Sequence, residues 1–105
     1  MNLKDTEIRK AVSVVLIRAC IDLSALNVYV VGGNVELRGT LKVLQHESQA
    51  GVTEADRQRT EQHLIFLIEQ EIRRISGVRW IQMYLDNWEQ VGGNWVRRKL
   101  KEPSR

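Results

Sequence analysis

The chain has 105 residues, of which 43% are apolar and 28% charged, and its formal net charge is +3 at pH 7. This length predicts one domain over residues 1–105 around a single core, and the ordinary composition with one proline excludes a largely disordered chain. A single cysteine and two distant histidines exclude an intramolecular disulfide and argue against a structural zinc site, so no metal or cofactor is expected.

The first predicted element is a helix over residues 5–23, with Asp5 as its N-cap. Its main apolar stripe, which we expect to pack on a sheet, consists of Ile8, Val12, Val15, Ala19 and Leu23. A second stripe lies on the other side of the helix and consists of Val14, Ile17 and Ile21. Two interpretations of it stay open: a broad core contact, or self-association and contact with another protein's helix.

A hairpin follows, with alternating strands over residues 27–31 and 34–43. A two-residue turn at Gly32-Gly33 or at Gly33-Asn34 suits the hairpin, because glycine adopts positive φ without strain. Either register keeps the same residues facing the core. The polar face then contains Tyr29, Glu36, Arg38, Thr40 and Lys42.

Residues 44–52 form a predicted loop, after which Thr53 and Asp56 resemble a capping box that opens a second helix. This helix is expected to run to about residue 76 and to stop at Gly77. Its core stripe comprises Leu64, Ile65, Ile68, Ile72 and Ile75, and Phe66 lies on the far side.

From Val78 the apolar period changes to two, which predicts a third strand. One side of it carries Ile81, Met83 and Leu85, and the other carries Trp80, Gln82, Tyr84, Asp86 and Trp88. Residues 91–94 repeat the VGGN turn, so a fourth strand can return and place Gln90 opposite Trp95. The chain ends in a basic tail, since five of its last nine residues are basic and one is acidic.

The order helix, NVYVVGGNVELRG hairpin, helix ending in ISGV and strand resembles the BON domain, a small bacterial αββαβ module. The resemblance covers residues 5–86 and rests on structural positions such as Val28, Val30, Gly39 and Gly77. It implies a two-layer α+β sandwich with two helices on one face of a small mixed sheet, followed by an extra hairpin and tail over residues 87–105. It also implies a binding module associated with phospholipid, membrane attachment or pore-forming assemblies, and it brings no catalytic residue.

If both helices cover one sheet face, the other face is open. The predicted partner or ligand surface on that face and beside it consists of Tyr29, Arg38, Trp80, Tyr84, Trp88, Trp95, Arg97, Arg98 and Lys99. The basic tail or a second copy folding over these rings is the alternative, because a domain rarely leaves so large an apolar patch exposed.

We therefore expect a non-enzymatic binding or assembly module that attaches to a protein scaffold, to itself or to an anionic membrane surface. Single-stranded nucleic acid binding is the alternative, in which bases stack on the aromatic side chains while Arg and Lys contact phosphates. An enzyme is not expected, because the glycine turn lies in a hairpin and no nucleophile or paired-carboxylate motif is present. Arg18 and the acidic residues near the start argue against an export signal. We therefore expect a cytoplasmic location in preference to a periplasmic one, and a peripheral position at a membrane if the chain binds lipid.

Overall fold

The computed structural model describes residues 4–44 and 53–98. Its helices are α1 (Asp5–Arg18) and α2 (Glu54–Arg73), and a short 3-10 turn spans Leu23–Ala25. Its strands are β1 (Leu26–Val31), β2 (Asn34–Gly39), β3 (Trp80–Leu85), β4 (Trp88–Val91) and β5 (Asn94–Arg97). The first three form a mixed sheet in the order β1-β2-β3, with β1 antiparallel and β3 parallel to β2. Strands β4 and β5 form a separate antiparallel hairpin, so the predicted α+β fold is confirmed.

Both helices pack on the same face of the three-stranded sheet. Because side chains alternate along a strand, each strand contributes every second residue to this interface. The buried core includes Ile8, Val12 and Leu16 of α1, Val28, Val35, Leu37 and Leu85 of the sheet, and Ile65, Ile68 and Ile72 of α2. The predicted stripe of α2 is confirmed, with Leu64 and Ile75 half-buried at its margins.

Glycine turns set the registers of both hairpins. Gly32 and Gly33 have φ of +58° and +83°, and Gly92 and Gly93 have +57° and +85°. Positive φ at both central positions matches the right-handed twist of the flanking strands. The first turn sets Val30 opposite Val35, the first of the two predicted registers. The second sets Gln90 opposite Trp95, as predicted.

Helix α1 is shorter than predicted. It ends at Arg18, and Cys20 adopts a left-handed φ of +62°, which turns the chain out of the helix. Ile21 then forms an isolated bridge with Val43 and is buried, so its assignment to a second helical stripe is wrong. The other two members of that stripe, Val14 and Ile17, are 44% and 59% exposed on α1.

Asp5 has a different role from the predicted one. The N-cap of α1 is Lys4, which makes no side-chain cap bond, so the assignment of Asp5 as N-cap is wrong. Its carboxylate instead accepts the backbone N–H of Gly32 at 2.8 Å and that of Gly33 at 3.1 Å. Asp5 therefore ties the start of α1 to the tip of the first hairpin.

A bend at Asp86 and Asn87 separates β3 from β4. The Asn87 side chain pairs with the backbone of Leu41 through two hydrogen bonds, accepting its N–H at 3.0 Å and donating to its carbonyl at 2.8 Å. These bonds hold the bend against the end of the first hairpin. The two-residue alternation stops there, and Trp88 turns into the core with 2% exposure.

Helix α2 begins as predicted and ends three residues early. Thr53 is its N-cap, and its hydroxyl accepts the N–H of Asp56 at 3.1 Å. Hydrogen bonds from Thr53 and then from Arg59 hold the pKa of Asp56 below its ordinary value of 3.8. The last helical residue is Arg73, and Gly77, with φ of +92°, lies in the turn that leads to β3.

Candidate functional site: the open sheet face

The side of the three-stranded sheet that faces away from the helices forms the candidate site. We call it the open sheet face; no element in residues 4–44 and 53–98 packs over it. Its outward side chains are Asn27, Tyr29 and Val31 of β1, Asn34, Glu36 and Arg38 of β2, and Trp80, Gln82 and Tyr84 of β3.

Three aromatic side chains dominate this face. Tyr29, Trp80 and Tyr84 are 48%, 62% and 42% exposed. This exposure is unusual, because aromatic side chains generally bury large apolar areas. Trp80 lies beside Asn34, and Val31, beyond Asn34, is 73% exposed. The predicted positions of Tyr29, Trp80 and Tyr84 on the sheet face away from the helices are therefore confirmed, whereas most of the basic tail, the predicted alternative cover, lies outside the described residues.

Arg38 lies at one end of the face, in the row that also holds Asn27 and Tyr84. Its guanidinium carbon lies 4.5 Å from the centroid of the Tyr84 ring, its direct neighbour across the strands. Its Nε donates to Glu36 at 2.7 Å, and this bond raises the pKa of Arg38. Ring stacking and the ion pair together restrict the long Arg38 side chain, so less of its rotamer entropy remains to be lost on binding.

Two of the predicted surface tryptophans lie elsewhere. Trp88 belongs to the core, and Trp95 is half-buried against it, where its carbonyl accepts Gln62 Nε2 at 2.6 Å. The prediction that all three tryptophans share one surface is wrong, because the Asp86-Asn87 bend changes the direction of the side chains after β3. The indole N–H groups of Trp88 and Trp95 are buried and have no hydrogen-bond partner in the described part of the chain.

The basic residues at the end of β5 contact side chains that do not belong to the open sheet face. Arg97 reaches Glu61 of α2 at 3.4 Å, and its guanidinium lies 5.9 Å from the Trp88 ring centroid. Arg98 lies 3.8 Å from Glu89 within the second hairpin. Lys99 falls outside the described residues. The predicted combination of aromatic rings with this basic cluster on one surface is therefore wrong for Arg97.

A second feature, which the sequence reasoning missed, lies along the outer edge of β3. A groove of about 390 Å³ runs between this edge, the second half of α2 and the β4–β5 hairpin. We call it the β3 edge groove. Beside β3 itself, its lining comprises Glu69, Arg73, Arg79, Gln90 and Trp95. Sheet order decides which strand has a free edge, and no residue pattern in the sequence signalled that order.

Three other features bear on function: possible metal ligands, the single cysteine and the two helices as possible membrane spans. Among residues 4–44 and 53–98, no three His, Cys, Asp or Glu side chains converge as metal ligands. Cys20 is a free, half-buried thiol. Neither α1 nor α2 has the length and apolar character needed to cross a membrane.

Comparisons of this chain with family models, curated proteins and solved structures find no match. The open sheet face and the groove beside it are therefore the features of this chain that indicate a function.

Proposed function

We propose that this chain is a non-enzymatic assembly module that docks onto a second copy of itself through the open sheet face. The observation that carries the proposal is that three exposed aromatic rings and a restrained arginine share one sheet face that no described element covers. Tyr, Trp and Arg are the residues that most often dominate the energy of protein interfaces. Sheets pack face to face through such surfaces at a spacing of about 10 Å.

The charges of the face favour a second copy as the partner. Glu36 and Arg38 are neighbours on the same face of the central strand, so the face holds one negative and one positive group side by side. A two-fold axis that lies between two stacked faces, perpendicular to the strands and level with Leu37, places Glu36 of each copy opposite Arg38 of the other. An isologous contact of this kind is self-complementary and leaves no like charges opposed.

The size of the face predicts a weak dimer. Three strands about 4.8 Å apart and six residues long give a footprint of roughly 14 by 20 Å. Even with side-chain relief, this is below the roughly 800 Å² per partner of a standard stable interface. We therefore expect a dissociation constant between about 10 µM and 1 mM, within reach of sedimentation measurements.

The two other functions considered from the sequence receive less support. Attachment to anionic lipid and binding of single-stranded nucleic acid both need cations beside the rings. On the open sheet face the cation Arg38 is paired with Glu36, and Arg97 and Arg98 contact acidic groups elsewhere. The resemblance to the BON domain agrees with a binding role, and membership of that family stays a prediction.

Sedimentation velocity over a concentration series tests the proposal. We expect the wild type to shift from monomer towards dimer as its concentration rises, and Trp80→Ala to stay monomeric. Phe66→Ala is the matched control, because Phe66 is 54% exposed on α2, away from the open sheet face. A wild type that is monomeric up to about 1 mM contradicts the proposal. A shift that Trp80→Ala and Phe66→Ala weaken equally contradicts it as well.

A further inference from the structure

We propose that the β3 edge groove binds an extended acidic segment of another protein, which adds to the sheet as a fourth strand beside β3. This site is distinct from the dimer contact proposed above, since it uses the backbone edge of β3 and the groove next to it. The inference rests on four features of the described residues, which are the free edge, the absence of protective charges, the walls of the groove and its net charge.

The outer edge of β3 has backbone groups that no other strand of residues 4–44 and 53–98 pairs with. Among these residues β3 is bonded on one side only, to β2. Asp86, just after the strand, donates its N–H to the Gly39 carbonyl at 2.7 Å, towards β2. Because successive backbone groups alternate along a strand, the even-numbered residues of β3 face β2, and the N–H and C=O groups of Ile81 and Met83 point away from it. These two residues can form a ladder with an added strand.

In the part of the chain that the structure describes, the edge also lacks the features that usually prevent pairing. Free edges are commonly protected by lysine, proline, a bulge or a covering loop. The sequence of β3, WIQMYL, has no charge and no proline. Strand β1, at the opposite edge, is uncharged too, but the groove beside it is lined by β1 and residues of α1 alone. The β3 edge is the one with walls on two further sides.

Those walls select a single extended segment as the occupant. Glu69 and Arg73 of α2 line one side, and Gln90 and Trp95 of the β4–β5 hairpin line another. The β3 edge of a second copy would bring its own α2 and hairpin into this space. A lone strand has no such neighbours, so it fits where a folded copy does not.

The charge of the groove favours an acidic segment. Arg73 is paired with Glu69 at 2.6 Å, which neutralises both. Arg79 lines the same groove, is exposed, and makes no ion pair with the described residues. An Asp or Glu in the added strand can pair with Arg79, while the backbone ladder supplies contacts that do not depend on sequence.

Selection of random dodecapeptides displayed on phage against the full chain, at concentrations where it is monomeric, tests this inference. We expect the selected peptides to be enriched in Asp and Glu. Binding of a selected peptide should slow hydrogen exchange at the amides of Ile81 and Met83. N-methylation of alternate peptide bonds in that peptide should weaken binding by at least about tenfold, because each methyl group removes a ladder donor.

Two protein variants separate the charge contribution from a general loss. Arg79→Ala should weaken binding of the selected peptide by about fivefold. Arg18→Ala, which removes an exposed arginine at the end of α1, should leave it unchanged. The inference is overturned by an absence of selected binders, by N-methylation without effect, or by protection of amides elsewhere than β3. Equal effects of the two arginine variants overturn its electrostatic part. None of these outcomes depends on dimer formation by the open sheet face.

Discussion

Replacing Asp5 with Ala tests how the start of α1 holds the first hairpin. The variant loses both hydrogen bonds to the hairpin turn, the one to Gly33 being part-buried and the one to Gly32 exposed. A bond to a charged group contributes about 1.5 kcal/mol when partly buried, and the exposed bond is discounted to about 0.5 kcal/mol. The loss of the helix-dipole interaction adds about 0.5 kcal/mol. We therefore expect the free energy of unfolding to fall by about 2.5 kcal/mol.

Glu7→Ala is the matched control for this prediction. It removes one negative charge from the same first turn of α1, where Glu7 is exposed and has no hydrogen bond to the hairpin turn. The dipole contribution is common to both variants, so their difference isolates about 2 kcal/mol for the two hydrogen bonds. Asp5→Asn, which keeps one carbonyl oxygen as an acceptor, should lie between them.

Urea unfolding at neutral pH, followed by circular dichroism, measures these differences. With a slope of roughly 1.5 kcal/mol per M, the midpoint of Asp5→Ala should lie about 1.3 M below that of Glu7→Ala. Equal midpoints would refute the reasoning, because they would mean that the carboxylate of Asp5 contributes only through the helix dipole.

Three further predictions concern stability. Trp88→Ala should lower the free energy of unfolding by about 3 to 5 kcal/mol in urea titrations, and a loss below about 1 kcal/mol contradicts its core position. Gly33→Ala should destabilise by about 3 kcal/mol or more, since a methyl group there would clash with a backbone carbonyl, whereas Gly92→Ala, with open space around it, should lose only about 1 to 2 kcal/mol. Hydrogen bonding, first to Thr53, lowers the pKa of Asp56 in the folded protein. This lowering stabilises the fold at pH values above the unfolded pKa of 3.8, and the contribution is lost as the pH falls through the lower folded pKa. Asp56→Asn should therefore flatten the loss of stability below about pH 4, and an unchanged pH profile would contradict this assignment.

The parts of the fold that follow from local chemistry could be predicted from the sequence. Two glycines flanked by alternating apolar residues specify a two-residue hairpin turn, and both turns were placed correctly. The alternation in β1, β2 and β3 likewise placed Tyr29, Trp80 and Tyr84 on the face away from the helices. Here one periodic signal decides the direction of every side chain in the strand.

The errors come from positions where the periodicity is interrupted. Helix α1 ends where Cys20 adopts a left-handed conformation, and neither glycine nor asparagine marks that point in the sequence. The predicted alternation of β3 continues to Trp88 across Asp86 and Asn87, although these two residue types are frequent in turns. A turn there would have placed Trp88 correctly and kept it out of the predicted surface.

The remaining differences between the sequence prediction and the structure come from tertiary contacts. Asp5 resembles an N-cap in sequence. In the structure its carboxylate instead accepts two N–H groups of the first hairpin turn, and Gly32 of that turn lies 27 residues further along the chain. The β3 edge groove depends on the order of strands and on the position of the β4–β5 hairpin. Neither leaves a pattern within a short stretch of residues.

The open sheet face as the site of self-association is tested most directly by fluorine NMR of the chain labelled with 5-fluorotryptophan. The three tryptophans give three signals, and Trp80→Phe identifies the one from Trp80. We predict that this signal alone has a full solvent isotope shift at low concentration. It should also be the one that moves as the protein concentration rises, while the Trp88 and Trp95 signals stay in place. A Trp80 signal that is independent of concentration would contradict the account.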